Sequence, residues 1–357
     1  MPMSSRASSL AEVLDEMTAA GAPELTEHLG EQSLRCYACG HRCLIKEGKR
    51  GICKVRYNEE GRLLVPFNYV AALACDPTEK KPFFHALPGS DTLTFGMLGC
   101  DLHCGYCQNW LTSQALRDDA AGVAPKMVTA DKLVSLAKAY GASLVGSSYN
   151  EPLITAEWAV DVFKRAKPAG FKTAFISNGN ATPQVLDYLR PWTDCYKIDL
   201  KSMSDRNYRK LGGVVDNILE TIQMVHERGF WEEIVTLVIP GFNDSEDELR
   251  SAADFIASVS PDIPWHVTAF HQDYNMTENA NTTAEQLIRA CEIGRAAGLR
   301  FVYAGNLPGR VGRWENTYCP SCDELLIERY GYQIRRMKVT PTGNCPSCSA
   351  TIPGIWS

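Results

Sequence analysis

The sequence predicts an α/β fold: a partial (β/α)6-type TIM barrel with small cysteine-rich, metal-binding domains at its N- and C-terminal ends. Three observations predict it. Between residues 91 and 304, seven short apolar segments alternate with helical patterns, which is how a parallel sheet covered by helices reads. Six or seven units are too few to close an eight-fold barrel and suit an open one. The cysteines gather before, just inside and after this region, giving expected boundaries of 1–90, 91–313 and 314–357.

Taken in order, residues 8–29 read as a short helix, with Leu10, Val13, Leu14 and Met17 at helical spacing. Residues 54–75 read as β structure around a turn at Asn58–Gly61, and Asp76–Pro88 as a Lys- and Pro-rich ordered loop. The expected barrel strands are 92–98, 144–149, 173–177, 195–199, 234–239, 265–270 and 300–304. Thr182 followed by Pro183 is a helix start. Ser245 with Glu248, and Thr283 with Gln286, fit capping boxes. Gly141, Gly229 and Gly298 fit helix ends. Ligands in such folds sit at the C-terminal ends of the strands.

The chain has 357 residues, 45% of them hydrophobic, and a net charge of −6. That charge gives no long-range attraction to nucleic acid or to an anionic membrane. No apolar run approaches the roughly 20 residues that span a bilayer. Met1–Gly30 lacks a cationic stretch followed by an apolar one, so a cytoplasmic protein is expected. Fourteen cysteines in such a chain point to metal rather than disulfides. Only Cys75, Cys195 and Cys291 lie outside the three clusters, and they read as small core residues.

Cys100, Cys104 and Cys107 form a C-x3-C-x2-C run directly after the first barrel strand. Three thiolates can hold three corners of a cubane and leave the fourth iron open, whereas electron-transfer clusters take four cysteines. No fourth cysteine is close in sequence. Structural zinc sites usually come as two C-x2-C pairs, which this run is not.

This run, with Tyr106 as the aromatic one position before Cys107, resembles the signature of the radical S-adenosylmethionine (SAM) superfamily. EKKPFFHALPGS (79–90), SYNEP (148–152), SNGN (177–180), IDLKSM (198–203), VIPGFND (238–244) and WHVTAFH (265–271) resemble the radical SAM enzyme of the AmmeMemoRadiSam system, which is related to pyruvate formate-lyase activating enzymes. The resemblance implies a [4Fe–4S] cluster on Cys100, Cys104 and Cys107, with SAM on the open iron. It implies reductive cleavage of SAM to a 5′-deoxyadenosyl radical that abstracts hydrogen from a substrate, an oxidoreductase chemistry carried by the cofactor.

The same resemblance assigns SAM contacts. Asn150 and Glu151 stand where the superfamily has Gly-Gly-Glu, although Glu151 could equally cap the next helix. Asn178 could reach the ribose, or serve only as a turn residue. Asp199 and Lys201 share a strand face, and Lys201 could pair with the SAM carboxylate. Val238, with Ile239 and Gly241, resembles the stretch that packs on adenine through backbone contacts, although the apolar pair is equally ordinary as core. His266, and less strongly His271, could contact SAM or substrate, and Lys81 and His85 could close over the site.

At the C-terminus, Cys319, Cys322, Cys345 and Cys348 form two C-x2-C knuckles around a hairpin at 325–339, the pattern of a zinc ribbon; a rubredoxin-like iron site uses the same ligands. At the N-terminus, Cys36, Cys39, Cys43 and Cys53 place four thiolates within 18 residues, suited to zinc or to a second iron–sulfur centre, with His41 nearby. The partners expected are an electron donor such as flavodoxin or ferredoxin, a protein or peptide substrate, and Memo-like and AMMECR1-like proteins. Activation of a glycyl radical enzyme is an alternative. A metal-stabilised nucleic-acid-binding module is another, which leaves the triad and the ordered SAM-site motifs unexplained.

Overall fold

A computed structural model describes residues 9–30 and 32–357. Seven parallel strands run in sequence order: Asp91–Gly96, Leu144–Ser147, Lys172–Ser177, Cys195–Asp199, Trp231–Val238, Trp265–Ala269 and Val302–Gly305. Each pairs in register with the next, so every strand delivers its C-terminal end to the same rim. Their central residues are almost all buried, as expected of a parallel sheet covered by helices. The helices Ala130–Ala139, Ala156–Ala166, Pro183–Leu189, Val215–Glu227, Glu246–Val259 and Ala284–Ala296 lie between consecutive strands. Trp158 and Trp265 are wholly buried among them.

An eighth strand, Ala72–Pro77, pairs antiparallel with Asp91–Gly96, from Ala72 opposite Gly96 to Pro77 opposite Asp91. The start of the stretch read as a loop at Asp76–Pro88 is therefore strand, and residues 72–77 join the large sheet although the expected boundary fell at 90. The sheet stays open, with Ala72–Pro77 and Val302–Gly305 as its two edges.

The expected helix over 8–29 is shorter. It spans Leu10–Asp15, capped by Ser9 and Glu12, and residue 8 lies outside the described residues. Thr18–Ala20 instead pairs with Arg62–Pro66. Gly21 is pressed against Leu63, where a Cβ would come within 2.9 Å of Cδ2, and Pro23 opens a new 3-10 turn. The turn inside 54–75 falls between strands Tyr57–Glu59 and Arg62–Pro66. Buried Arg56 grips Glu157 through two bonds of 2.7 Å, and Glu157 also accepts from the amide of Ala22. This pins the N-terminal segment to the barrel. Removing one partner of such a buried pair costs about 3–5 kcal/mol.

Thr182 and Thr283 cap their helices as expected, the latter in a full box with Gln286. Ser245 accepts from the amide of Glu248, but the Glu248 carboxylate turns instead to Ser202 and to the amide of Met203. Gly141, Gly229 and Gly298 take the left-handed conformation that ends a helix. Beyond residue 314 a three-stranded antiparallel sheet forms from Thr317–Tyr318, Leu325–Tyr330 and Gln333–Met337. No helix among the described residues is long and apolar enough to cross a membrane.

Candidate active site

A cavity of about 410 Å³ opens at the C-terminal rim of the parallel strands. Cys100, Cys104 and Cys107 line it, and no other cysteine does among the described residues. Their loop is shaped by the strand before it. Gly99 has φ +93°, and a Cβ there would meet Val55 Cγ1 at 2.9 Å, so only glycine makes this turn. The amide of Leu102 donates to Cys100 Sγ (3.4 Å), and Ser113 Oγ sits 3.2 Å from Cys107 Sγ. Burial raises all three thiols. Cys104 is pushed up to about 12 against the opposing pull of Lys201. Tyr106 is buried in an apolar shell with Leu102, Leu211, Ile239 and Phe270 that packs against the triad.

Glu151 is almost wholly buried. Its carboxylate accepts from the Leu153 amide (3.0 Å), Ser177 Oγ (2.7 Å) and the Asn178 amide (2.7 Å). It thus caps the turn at Pro152 while lining the cavity. Burial, followed by the nearby charge of Asp101, raises it to about 8. Asn150 accepts from the Met97 amide at 3.0 Å, tying the end of one strand to the next. Asn178 donates to Asp101. Asp199 stands between Lys197 (2.5 Å) and Lys201 (3.3 Å). Burial alone would raise Asp199, but these two cations hold it below the usual carboxylate range.

The structure places the remaining sequence candidates and corrects the one for His85. The Val238 side chain packs into the main core, while Leu237 and Val235, on the opposite strand face, line the cavity. His266 reaches the cavity floor, but its Nε2 lies 2.6 Å from Glu233 Oε2, so it is held in a buried pair. His85 does not close over the site: it is buried below it, bonded to Tyr303 OH (2.6 Å) and Pro353 O (2.7 Å). Lys81 does line the cavity, held by Asp76 (2.8 Å) and Tyr149 OH (3.0 Å). His271 lies outside it, beside Gln108.

Sequence reasoning missed Asp101, Asn180, Lys197 and Glu233. Asp101 is wholly buried and binds Asn178 and Asn180 through separate oxygens. Its only sequence signal is its place beside Cys100. Lys197 could have been found by strand period, two residues before Asp199.

In the C-terminal set, Cys319 and Cys348 sulfurs lie 3.6 Å apart, and Cys322 and Cys345 sulfurs 3.7 Å. A tetrahedron with bonds near 2.3 Å has edges of about 3.8 Å. Among the described residues this is the only group of three or more His, Cys, Asp or Glu side chains with donor atoms all within 4.8 Å.

Three thiols on one loop, facing a cavity with no fourth cysteine, fit a cluster with one open iron. The fold and site thus define an enzyme of the open-barrel class that works with an iron–sulfur cluster. The chain belongs to the radical SAM superfamily, whose family description matches residues 95–256. An uncharacterized protein of Methanocaldococcus jannaschii is 34% identical over 329 residues, covering 91% of this chain and 97% of that protein. The pyruvate formate-lyase 1-activating enzyme of Escherichia coli K12 is 27% identical, covering 54% of this chain and 80% of that enzyme. The crystal structure of a domain of pyruvate-formate lyase-activating enzyme from Bacteroides vulgatus shares 25% identity with a TM-score of 0.41, covering 45% of this chain and 98% of that one. Membership implies a [4Fe–4S] cluster and SAM.

Proposed function

We propose that this chain cleaves SAM reductively and uses the resulting 5′-deoxyadenosyl radical to take a hydrogen atom from a polypeptide. The observation that carries this is the shared cavity: the three triad cysteines, Glu151, Asn178 and Lys201 all line it. A [4Fe–4S] cluster bound there supplies the electron for the cleavage and an open iron for the methionyl group. The chain's own residues do the positioning. In this reading Glu151 accepts from the methionyl ammonium and Lys201 pairs with its carboxylate. Asn178, beside Glu151, offers an amide to ribose hydroxyls, and Leu237 and Val235 supply the apolar wall. Phe84 lines the cavity and packs edge-on against His266, their ring centroids 4.7 Å apart.

The polypeptide substrate is supported by the activating-enzyme relatives and by the open sheet. The C-terminal set is read as a structural zinc ribbon, and the chain as three units near 1–90, 91–313 and 314–357, with strand Ala72–Pro77 lent to the central one. An electron donor of the flavodoxin or ferredoxin kind, and Memo-like and AMMECR1-like partners, complete the reading.

The test is anaerobic incubation of reconstituted protein with SAM and dithionite. 5′-Deoxyadenosine should form, and Cys104→Ala should abolish it together with the cluster's visible absorbance. Undiminished 5′-deoxyadenosine from that variant would overturn the assignment.

A further inference from the structure

The four N-terminal cysteines sit against the triad loop. Gly99 packs on the Cys53 carbonyl, 3.3 Å from where a Cβ would be. His41 Nε2 lies 3.1 Å from the Asp101 carbonyl, and the Gly40 amide donates to the Asn180 carbonyl at 2.7 Å. Cys36, Cys39 and Cys53 are buried, Cys43 is half-buried, and none is in a disulfide. Two tight turns present them. The Arg42 amide closes on Cys39 and the Lys54 amide on Gly51, with both closing residues at positive φ. The Ile52 amide donates to Cys43 Sγ at 3.5 Å.

Two observations point to what they hold. The C-terminal thiols have collapsed to the edges of a single-ion tetrahedron, whereas no three of the N-terminal thiols lie within 4.8 Å of one another. The triad thiols likewise form no such group, and sulfurs on a cubane stand farther apart than sulfurs on one zinc ion. Second, buried Arg56 has both terminal nitrogens on Glu157 but its Nε has no partner. Cys36 and Cys53 are among the groups close to its charge. A buried guanidinium donor left open beside a thiol group is matched by an anionic sulfur core.

The rim around this site is basic with an apolar centre. Leu44 and Ile52 are 53% and 50% exposed. Arg42, Lys46, Lys49 and Lys54 flank them and make no ion pair among the described residues, whereas Arg50 is taken by Asp15 at 2.5 Å and Glu47 caps the amides of Glu60 and Gly61. That is the complement of a small acidic electron-carrier protein.

We propose that Cys36, Cys39, Cys43 and Cys53 hold a second [4Fe–4S] cluster, the point where an electron enters from an acidic one-electron carrier protein. The carrier loses one electron, and the cluster core goes from 2+ to 1+. The same electron then passes to the cluster on the triad, returning the first core to 2+. The entry role rests on the function proposed above; the cluster site does not.

The experiment uses the full chain with Cys100, Cys104 and Cys107 changed to Ala, reconstituted anaerobically with iron and sulfide. It should bind about four irons and about four acid-labile sulfides and give a [4Fe–4S]+ electron paramagnetic resonance signal after dithionite. Adding C36A and C53A should remove them. Zinc in their place, or iron without labile sulfide, overturns the site; iron in the C-terminal knuckles would bring no sulfide. If the triple variant does not fold, C36A/C53A in the native chain should halve the labile sulfide, and an unchanged content overturns the site. For the entry role, reduction by a reduced acidic ferredoxin is followed by absorbance. K46E/K49E should slow it about tenfold at low salt, with the difference vanishing at high salt and dithionite reduction unchanged. Equal rates with ferredoxin would refute the entry role while leaving the cluster site standing.

Discussion

Asn178 Nδ2 donates to Asp101 Oδ1 at 2.7 Å, joining the residue beside the first triad cysteine to the end of the third parallel strand. The second Asp101 oxygen takes Asn180 Nδ2 at 2.8 Å. One wholly buried carboxylate thereby fixes the triad loop against the SNGN turn, while the backbone carbonyl of the same residue meets His41 Nε2 at 3.1 Å.

Asp101→Asn should therefore weaken the loop without emptying it. An amide oxygen can serve one of the two asparagine donors, and its NH2 faces the other. The expected loss is about 1–2 kcal/mol, and about 3 kcal/mol for Asp101→Ala, which leaves both donors unpaired. Urea unfolding checks the stability, and iron per chain should fall in the same order. Unchanged iron in Asp101→Ala would show that the carboxylate does not support the triad.

Much of this was legible in the chain. Seven parallel strands announce themselves because both faces are buried, so each is a short apolar run bounded by turns. The edge strand Ala72–Pro77 was legible only in part: residues 72–75 fell in the expected β stretch, but their place in the large sheet did not show. It is half-buried except at exposed Leu73, without the alternation that marks a two-faced strand, and ends in Pro77. The N-terminal helix was overread because Met17 keeps the helical spacing of Leu10, Val13 and Leu14 although the helix has ended at Asp15. Gly21 and Pro23 were the available warnings. Val238 was placed by motif, yet whether it faces in or out turns on a one-residue register that only neighbouring strands set. Asp101 was invisible because its partners lie 77 and 79 residues away.

Glu151 makes stability depend on pH. Its folded value, about 8, lies above the ordinary 4.5. Between those values the native protein holds a proton that the unfolded chain has released. This group's contribution is therefore complete below about pH 4.5 and is lost as pH rises through about 8. Metal-free Glu151→Gln should show a shallower fall in melting temperature than the unsubstituted protein between pH 5.5 and 8.5. Parallel curves would count against the shift.

The ribbon should hold one zinc ion whose removal unfolds it. In units this small, metal-binding energy is folding energy. Buried Arg329 links the ribbon to the barrel floor through the Phe84 carbonyl at 2.9 Å. Chelation, or Cys322→Ala with Cys348→Ala, should thus expose Trp356 and loosen the loop around His85, 5.4 Å from that ring. Metal analysis of the full chain carrying Ala at Cys100, Cys104 and Cys107 should find about one zinc per chain. Finding none would sink the zinc assignment.

The last prediction concerns the substrate. The sheet does not close, and its edges are Ala72–Pro77 and Val302–Gly305. The cavity mouth near those edges is framed by Lys80 and Lys81 from the loop and by Tyr332 from the ribbon, whose hydroxyl donates to Asn306 at 3.2 Å. A radical formed deep in the cavity must be shielded from water. A peptide loop threaded past Tyr332 would supply that shield itself, whereas a small metabolite would leave the mouth open. Tyr332→Ala should therefore raise 5′-deoxyadenosine formed without substrate turnover, while SAM cleavage itself persists. The decisive measurement is isotope transfer. A candidate partner polypeptide carrying exchange-resistant deuterium should pass label into 5′-deoxyadenosine and change its own mass. Deuterium arriving only from a small metabolite, with every candidate polypeptide unchanged in mass, would refute the polypeptide reading and leave the radical chemistry standing.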